Sequence, residues 1–162
     1  MPKARAKPLS VYFAAPLFTQ AERRWNAELA RRLEAAAGCK VLLPQTFGAG
    51  DSRHGEGHFA GIFQECLDGV KASDALLVVV DGADADSGTS FEMGYAHALG
   101  KPTVCVRTDF REQQDKGTNL MLAQACQAFV HRAGLDDDLE GLVAEIADAL
   151  ARVVPSPKRR RV

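Results

Sequence analysis

Two carboxylates, Asp86 and Glu92, flank the turn Ser87-Gly88-Thr89, just after the apolar run Leu76-Leu77-Val78-Val79-Val80-Asp81. Two acids held at one turn suit glycosyl transfer, in which one carboxylate attacks the anomeric carbon and a second group manages the leaving group. The apolar run is expected to be a central parallel strand, because a strand without polar alternation must be covered on both faces. Gly88 and Thr89 are expected to open a helix that Gly100-Lys101-Pro102 closes. This places Glu92 in a first helical turn at the carboxyl edge of a sheet, where open α/β sheets bind ligands. The positive end of the helix dipole there favours an ionised carboxylate. Position alone equally admits a plainer role, in which both acids cap the helix and Gly88 and Gly94 serve turn and packing.

Other segments must position these groups. Val11–Ala15 is expected to be a strand, ended by Pro16, and Thr19 to cap a helix over 21–37 that Gly38 stops. Trp25, Leu29 and Leu33 form one apolar stripe on that helix, with Arg23, Arg24, Arg31 and Arg32 on its outer face. A second strand over 41–43 ends at Pro44. A loop from Gly48 to Gly57 leads to a helix over 59–71 with Ile62, Phe63, Cys66, Leu67 and Val70 turned inward. Strand 76–80, helix 89–99 and strand 103–106 follow, then a polar loop over 109–116. A short helix over 119–124, a strand over 128–130 and a helix over 136–153 complete the chain, the last with three Asp in its first turn. Alternating strands and helices argue for an α/β flavodoxin-like three-layer sandwich around a five-stranded parallel sheet. The domain is expected over 10–154, between a disordered segment over 1–9 and a basic flexible tail over 155–162.

Composition narrows the partners. The net charge of -1 over 162 residues gives no global field to gather nucleic acid or a membrane surface. No apolar run approaches bilayer length, and the basic N-terminus lacks a secretory apolar core. Cys39, Cys66, Cys105 and Cys126 are widely spaced and suit reduced thiols of a cytoplasmic protein, with no metal site. His54, His58, His97 and His131 have no metal or triad spacing, and His58 admits two readings, a loop histidine that visits the site and, in preference, a solvated one. A phosphate-cradling G-x-x-x-x-G-K-[ST] loop, a G-x-G-x-x-G turn and a G-x-S-x-G elbow are all absent, which disfavours kinases, dinucleotide enzymes and serine hydrolases.

The residues then reach a likeness. Asp86-x-Gly88-Thr89-x-Phe91-Glu92-x-Gly94-x-Ala96, followed by Gly100-Lys101-Pro102, resembles the signature of the nucleoside 2-deoxyribosyltransferase family. Asn119-Leu-Met121-Leu-Ala-Gln124 resembles its second motif, and Val11-Tyr-Phe-Ala-Ala-Pro16-Leu-Phe its first strand and turn. The resemblance spans Val11 to about Val153. It implies that Glu92 attacks C1′ of a 2′-deoxynucleoside, releasing a free nucleobase, and that a second base attacks the glycosyl-enzyme with net retention. It implies no cofactor. It gives Asp86 the sugar hydroxyls and has Tyr12 position Glu92. It implies a homo-oligomer, dimeric or higher, in which Asn119 and Met121 complete a neighbour's site. Phe18 and Gln45 lie at strand ends on the same rim, to contact the base; Phe13, Phe18, Phe47 and Met121 are expected apolar walls.

One position departs from that pattern. Aligning Leu67-x-Gly69-Val70-Lys71 puts Cys66 where the family often has an Asp that exchanges a proton with the leaving base. A thiol, with an ordinary pKa of about 8.5, substitutes poorly for a carboxylic acid. Asp81 or Asp84 would then serve instead, the base would need less proton assistance, or the activity would have drifted. Two alternatives follow: an N-glycoside hydrolase of nucleosides or their 5′-monophosphates, and a non-catalytic nucleoside-binding module.

Overall fold

A computed structural model describes residues 7–48, 58–111, 117–134 and 138–154. The expectations for residues 1–6, the glycine-rich loop over 49–57, the polar loop over 112–116, Asp136, Asp137 and the tail over 155–162 fall outside those residues.

Five strands alternate with five α-helices: β1 (Ser10–Ala14), α1 (Gln20–Ala37), β2 (Lys40–Leu42), α2 (His58–Ala72), β3 (Ala75–Val79), α3 (Ser87–Ala98), β4 (Thr103–Arg107), α4 (Leu120–Ala125), β5 (Ala128–His131) and α5 (Leu139–Val153). All strand pairings are parallel, in the order β2-β1-β3-β4-β5. This is the flavodoxin-like order, and its switch point lies between β1 and β3.

Side-chain alternation along each strand builds two cores. On β1, Val11 and Phe13 join Leu29 and Leu33 of α1 and Ile146 and Leu150 of α5. Tyr12 and Ala14 join Val70 of α2 and Met93 and Ala96 of α3 on the other face. Helix α1 is fixed at its start by a reciprocal capping box, in which Thr19 Oγ1 accepts from Glu22 N–H and Glu22 Oε2 accepts from Thr19 N–H. Gly38, at φ 61°, ends it in the left-handed region.

Three differences from expectation matter. Helix α3 begins at Ser87 with Asp86 as its N-cap, so Glu92 lies in the second turn and not the first. Phe63 does not face inward: it is exposed and packs on Phe91 in a tilted pair, ring centroids 6.0 Å apart. Helix α5 starts at Leu139, and Asp138 is its N-cap, accepting from Gly141 N–H.

Candidate active site

The Tyr12 hydroxyl donates to Glu92 Oε1 at 2.6 Å, across the switch point between β1 and the helix that follows β3. Tyr12 is fully buried and fixed by its strand. The Tyr12 ring lies against Gly69 of α2, where an added Cβ would come within 2.8 Å of it. Burial pushes the Glu92 carboxyl above the usual carboxylate range; the hydroxyl of Tyr12 and the thiol of Cys66 pull it back down, and the charge of Asp86 pushes it up. The expected dipole stabilisation is overturned here. A helix terminus acts within its first turn, and Glu92 lies one turn too far along, where desolvation wins. Burial and the Glu92 charge hold Tyr12 well above the ordinary phenol range, so it remains a neutral donor. Burial likewise raises the Cys66 thiol, leaving it protonated and not thiolate at neutral pH.

Glu92 and Cys66 open into a cavity of about 640 Å³, walled by Leu17, Phe47 and Ile62 and carrying polar groups from Arg23, Gln45 and His58. That volume lies within the ~300–1,000 Å³ typical of small-molecule sites. His58, Ile62 and Cys66 recur every four residues, so one stripe of α2 faces the cavity. His58 is thus a helical cavity residue, not a solvated loop histidine. Arg23 is exposed, as an outer-face residue should be, and it also lines the cavity. Its Nη2 donates to Gln45 O at 3.1 Å while Gln45 Nε2 donates to Arg23 O at 2.9 Å. Gln45 Oε1 accepts from Asn26 Nδ2 at 3.4 Å, so both ends of that amide are engaged within the protein.

A family model described as nucleoside 2-deoxyribosyltransferase matches residues 11–121, from β1 into α4. The chain belongs to that family. No curated protein matches it. Among solved structures, a conserved protein from Enterococcus faecalis V583 is 27% identical, with 87% of this chain and 98% of that one covered at a TM-score of 0.71. A 2-deoxyribosyltransferase from Bacillus psychrosaccharolyticus is 20% identical, with 83% and 90% covered at 0.66. A CMP N-glycosidase from Clostridium botulinum is 16% identical, with 85% and 97% covered at 0.55. The last two likenesses are of fold.

Membership in the deoxyribosyltransferase family sets the chain among enzymes acting on the N-glycosidic bonds of nucleosides. The residues singled out from the sequence divide into three groups. Cys66 and Glu92 line the cavity with Tyr12 buried behind Glu92, and Gln45 and Phe47 stand in its wall. Asp86 and Gly88 sit at the start of α3. Asp86 Oδ2 accepts from Thr89 N–H at 2.8 Å as the N-cap, and a Cβ on Gly88 would come within 3.2 Å of that oxygen. The remaining residues lie elsewhere. Phe13 is buried in the opposite core, since the residue next to Tyr12 on a strand must face the other way. Phe18 is 75% exposed. Asn119 caps α4, its Oδ1 accepting from Met121 N–H at 2.9 Å, and Met121 lines a separate groove between α3 and α4. The substitute acids do not reach the cavity: Asp81 accepts from Thr108 N–H, Thr108 Oγ1 and Asp109 N–H on the other side of the sheet, and Asp84 is exposed. His97 Nδ1 lies 3.3 Å from Ala125 O, tying α3 to α4. Among the described residues no cluster of three potential metal ligands occurs, and no helix is long and apolar enough to cross a membrane.

Proposed function

We propose that this protein transfers a 2-deoxyribosyl group between nucleobases through a covalent glycosyl–Glu92 intermediate, with retention. The observation that carries the proposal is the Glu92 carboxylate held at 2.6 Å by a buried Tyr12 hydroxyl on the floor of a nucleoside-sized cavity. Deprotonated Glu92 attacks C1′ as the C1′–N bond breaks, and the bonding electrons leave with the base. The transition state is oxocarbenium-like, so an adjacent carboxylate stabilises it. Tyr12 remains a neutral hydrogen-bond donor and fixes one carboxylate oxygen, leaving the other to react. A second base then attacks C1′ from the vacated face as the C1′–Oε bond breaks and returns its electron pair to Glu92; the incoming nitrogen gives up its proton to solvent, and two inversions give retention. Asp86 Oδ1 takes no part in the N-cap bond, which uses Oδ2, and in this reading it accepts from a sugar hydroxyl.

A transferase must keep water from its intermediate. The exposed apolar surface on α2, α3 and α4 supports closure by a second copy: Phe59 is 82% exposed and Met121 75%, with Phe63, Phe91 and Leu120 exposed beside them in the fold. Met121 and Asn119 would complete the neighbour's site from that surface. The turn after β1 offers Pro16 and Leu17, and the Phe18 N–H that follows is already bonded to Glu22 Oε2, which favours nucleosides over 5′-monophosphates.

The test is base exchange: 2′-deoxyinosine or thymidine with free adenine or cytosine, followed by chromatography, with Glu92→Ala in parallel. A new deoxynucleoside that vanishes in the variant supports transfer. Free base without exchange points to hydrolysis. Binding without turnover, unchanged by Glu92→Ala, points to a non-catalytic module.

A further inference from the structure

We propose that Arg23 selects the nucleobase, favouring a purine that carries an oxygen at C6 over its 6-amino counterpart. The inference rests on the nucleoside reading of this cavity. Arg23, though exposed, shares the cavity with Glu92; its Nη2 bond to Gln45 O ties the guanidinium there, while Gln45 Nε2 ties the Arg23 backbone carbonyl. With the Gln45 amide spent on Asn26 and on the Arg23 backbone, Gln45 acts as a strut. The reading of the base along this wall falls to the guanidinium, whose other N–H groups have no protein acceptor among the described residues.

The location itself is informative. Arg23 occupies the first turn of α1, where the positive end of the helix dipole disfavours a cation. A residue that opposes local preference and faces a cavity marks a functional position. Guanidinium carries donors and no acceptor. It therefore matches the adjacent O6 and N7 acceptors of a 6-oxopurine, as it does on guanine edges in DNA, and it opposes the amino donor of a 6-aminopurine.

The same contact addresses the missing acid. The position nearest Glu92 on α2 holds Cys66, which is no match for a carboxylic acid donor. As the C1′–N9 bond breaks and the C1′–Oε bond to Glu92 forms, the electron pair passes into the purine ring and raises the negative charge on O6 and N7. A fixed cation at that edge stabilises the departing purine anion, which takes its proton from solvent after release.

The experiment is equilibrium binding of free hypoxanthine and of free adenine to the wild-type protein, to Arg23→Lys and to Arg23→Met, each checked for its thermal midpoint. A guanidinium fork on the right base is worth about 5- to 150-fold in discrimination. Wild type should prefer hypoxanthine by a factor in that range, Arg23→Met should bind the two bases equally, and Arg23→Lys should retain part of the preference because it keeps charge without the fork. Equal binding by wild type, a preference that survives in Arg23→Met, or no binding of either base overturns the inference. Because binding is read without turnover, a failed exchange assay beside an Arg23-dependent preference would sink the transferase reading and leave this one standing.

Discussion

Replacing Gly69 by Ala tests whether Tyr12 positions Glu92. The new Cβ would lie 2.8 Å from Tyr12 Cε2 and 3.0 Å from Cδ2, against ordinary contacts that begin at 3.4 Å. The ring must therefore retreat by 3.4 − 2.8, or roughly 0.6 Å, if it takes up the whole strain. Tyr12 has no slack, being fully buried with Phe47 packed on it at 6.4 Å between centroids. Its bond to Glu92, 2.6 Å at rest, either stretches past normal length or drags the carboxylate with it. Overpacking of this kind costs about 1–3 kcal/mol, while Gly to Ala within a helix returns about 1 kcal/mol. The net loss is then about 0–2 kcal/mol, and the thermal midpoint of a chain this size should fall by no more than about 8 °C. Activity should suffer more, since misplacing a reacting group by about 1 Å costs on the order of 10²-fold. The assay is base-exchange kcat for Gly69→Ala beside Gly61→Ala, a control on the same helix where a Cβ meets nothing within 4 Å. Wild-type kcat in Gly69→Ala, or an equal loss in Gly61→Ala, would refute the positioning role.

Other outcomes follow from the same geometry. Because burial raises Glu92, its contribution to stability is fully present below the unfolded carboxyl value of about 4.3 and is lost as pH rises through the folded one. Glu92→Gln should therefore abolish exchange yet gain stability relative to wild type as pH rises through that window, by about 1.4 kcal/mol for each unit of elevation; parallel denaturation curves at several pH values check it. In kcat/KM against pH, the acid limb should lie above the ordinary Glu range, and Asp86→Asn, which removes a charge that raises Glu92, should move it downward. Thr19→Ala deletes one arm of the α1 capping box and should cost about 1 kcal/mol, read as a midpoint a few degrees lower.

The fold was legible because each element carries its own punctuation. Thr19 and Gly38 bracket α1, Pro44 ends the segment after β2, and an unbroken apolar run marks β3 as a strand buried on both faces. The family pattern brought out Glu92, Tyr12 and Cys66, which the fold assembles from α3, β1 and α2. Finer placements needed geometry that spacing does not hold. Reading Gly88-Thr89 as the helix start put Glu92 a turn too early and reversed the expected electrostatics, although capping by Asp86 was one of the two roles its position admitted. Phe13 was an expected apolar wall, yet strand alternation sends it and Tyr12 to opposite cores. Arg23 was hidden because the Trp25-Leu29-Leu33 stripe assigns it to the outer face. Only the apposition of the first turn of α1 with Gln45 brings it to the cavity. The signal available was a cation in a first helical turn, against the dipole.

The central claim is the covalent glycosyl–Glu92 bond. Its most direct test is to mix the protein with a 2′-deoxynucleoside without acceptor base, quench with acid, and measure intact and peptide masses beside Glu92→Ala. The account predicts a protein heavier by one 2-deoxyribosyl group, carried on the peptide that contains Glu92 and absent from the variant. Base exchange proceeding at full rate with no such adduct, or with the adduct on another residue, would contradict it.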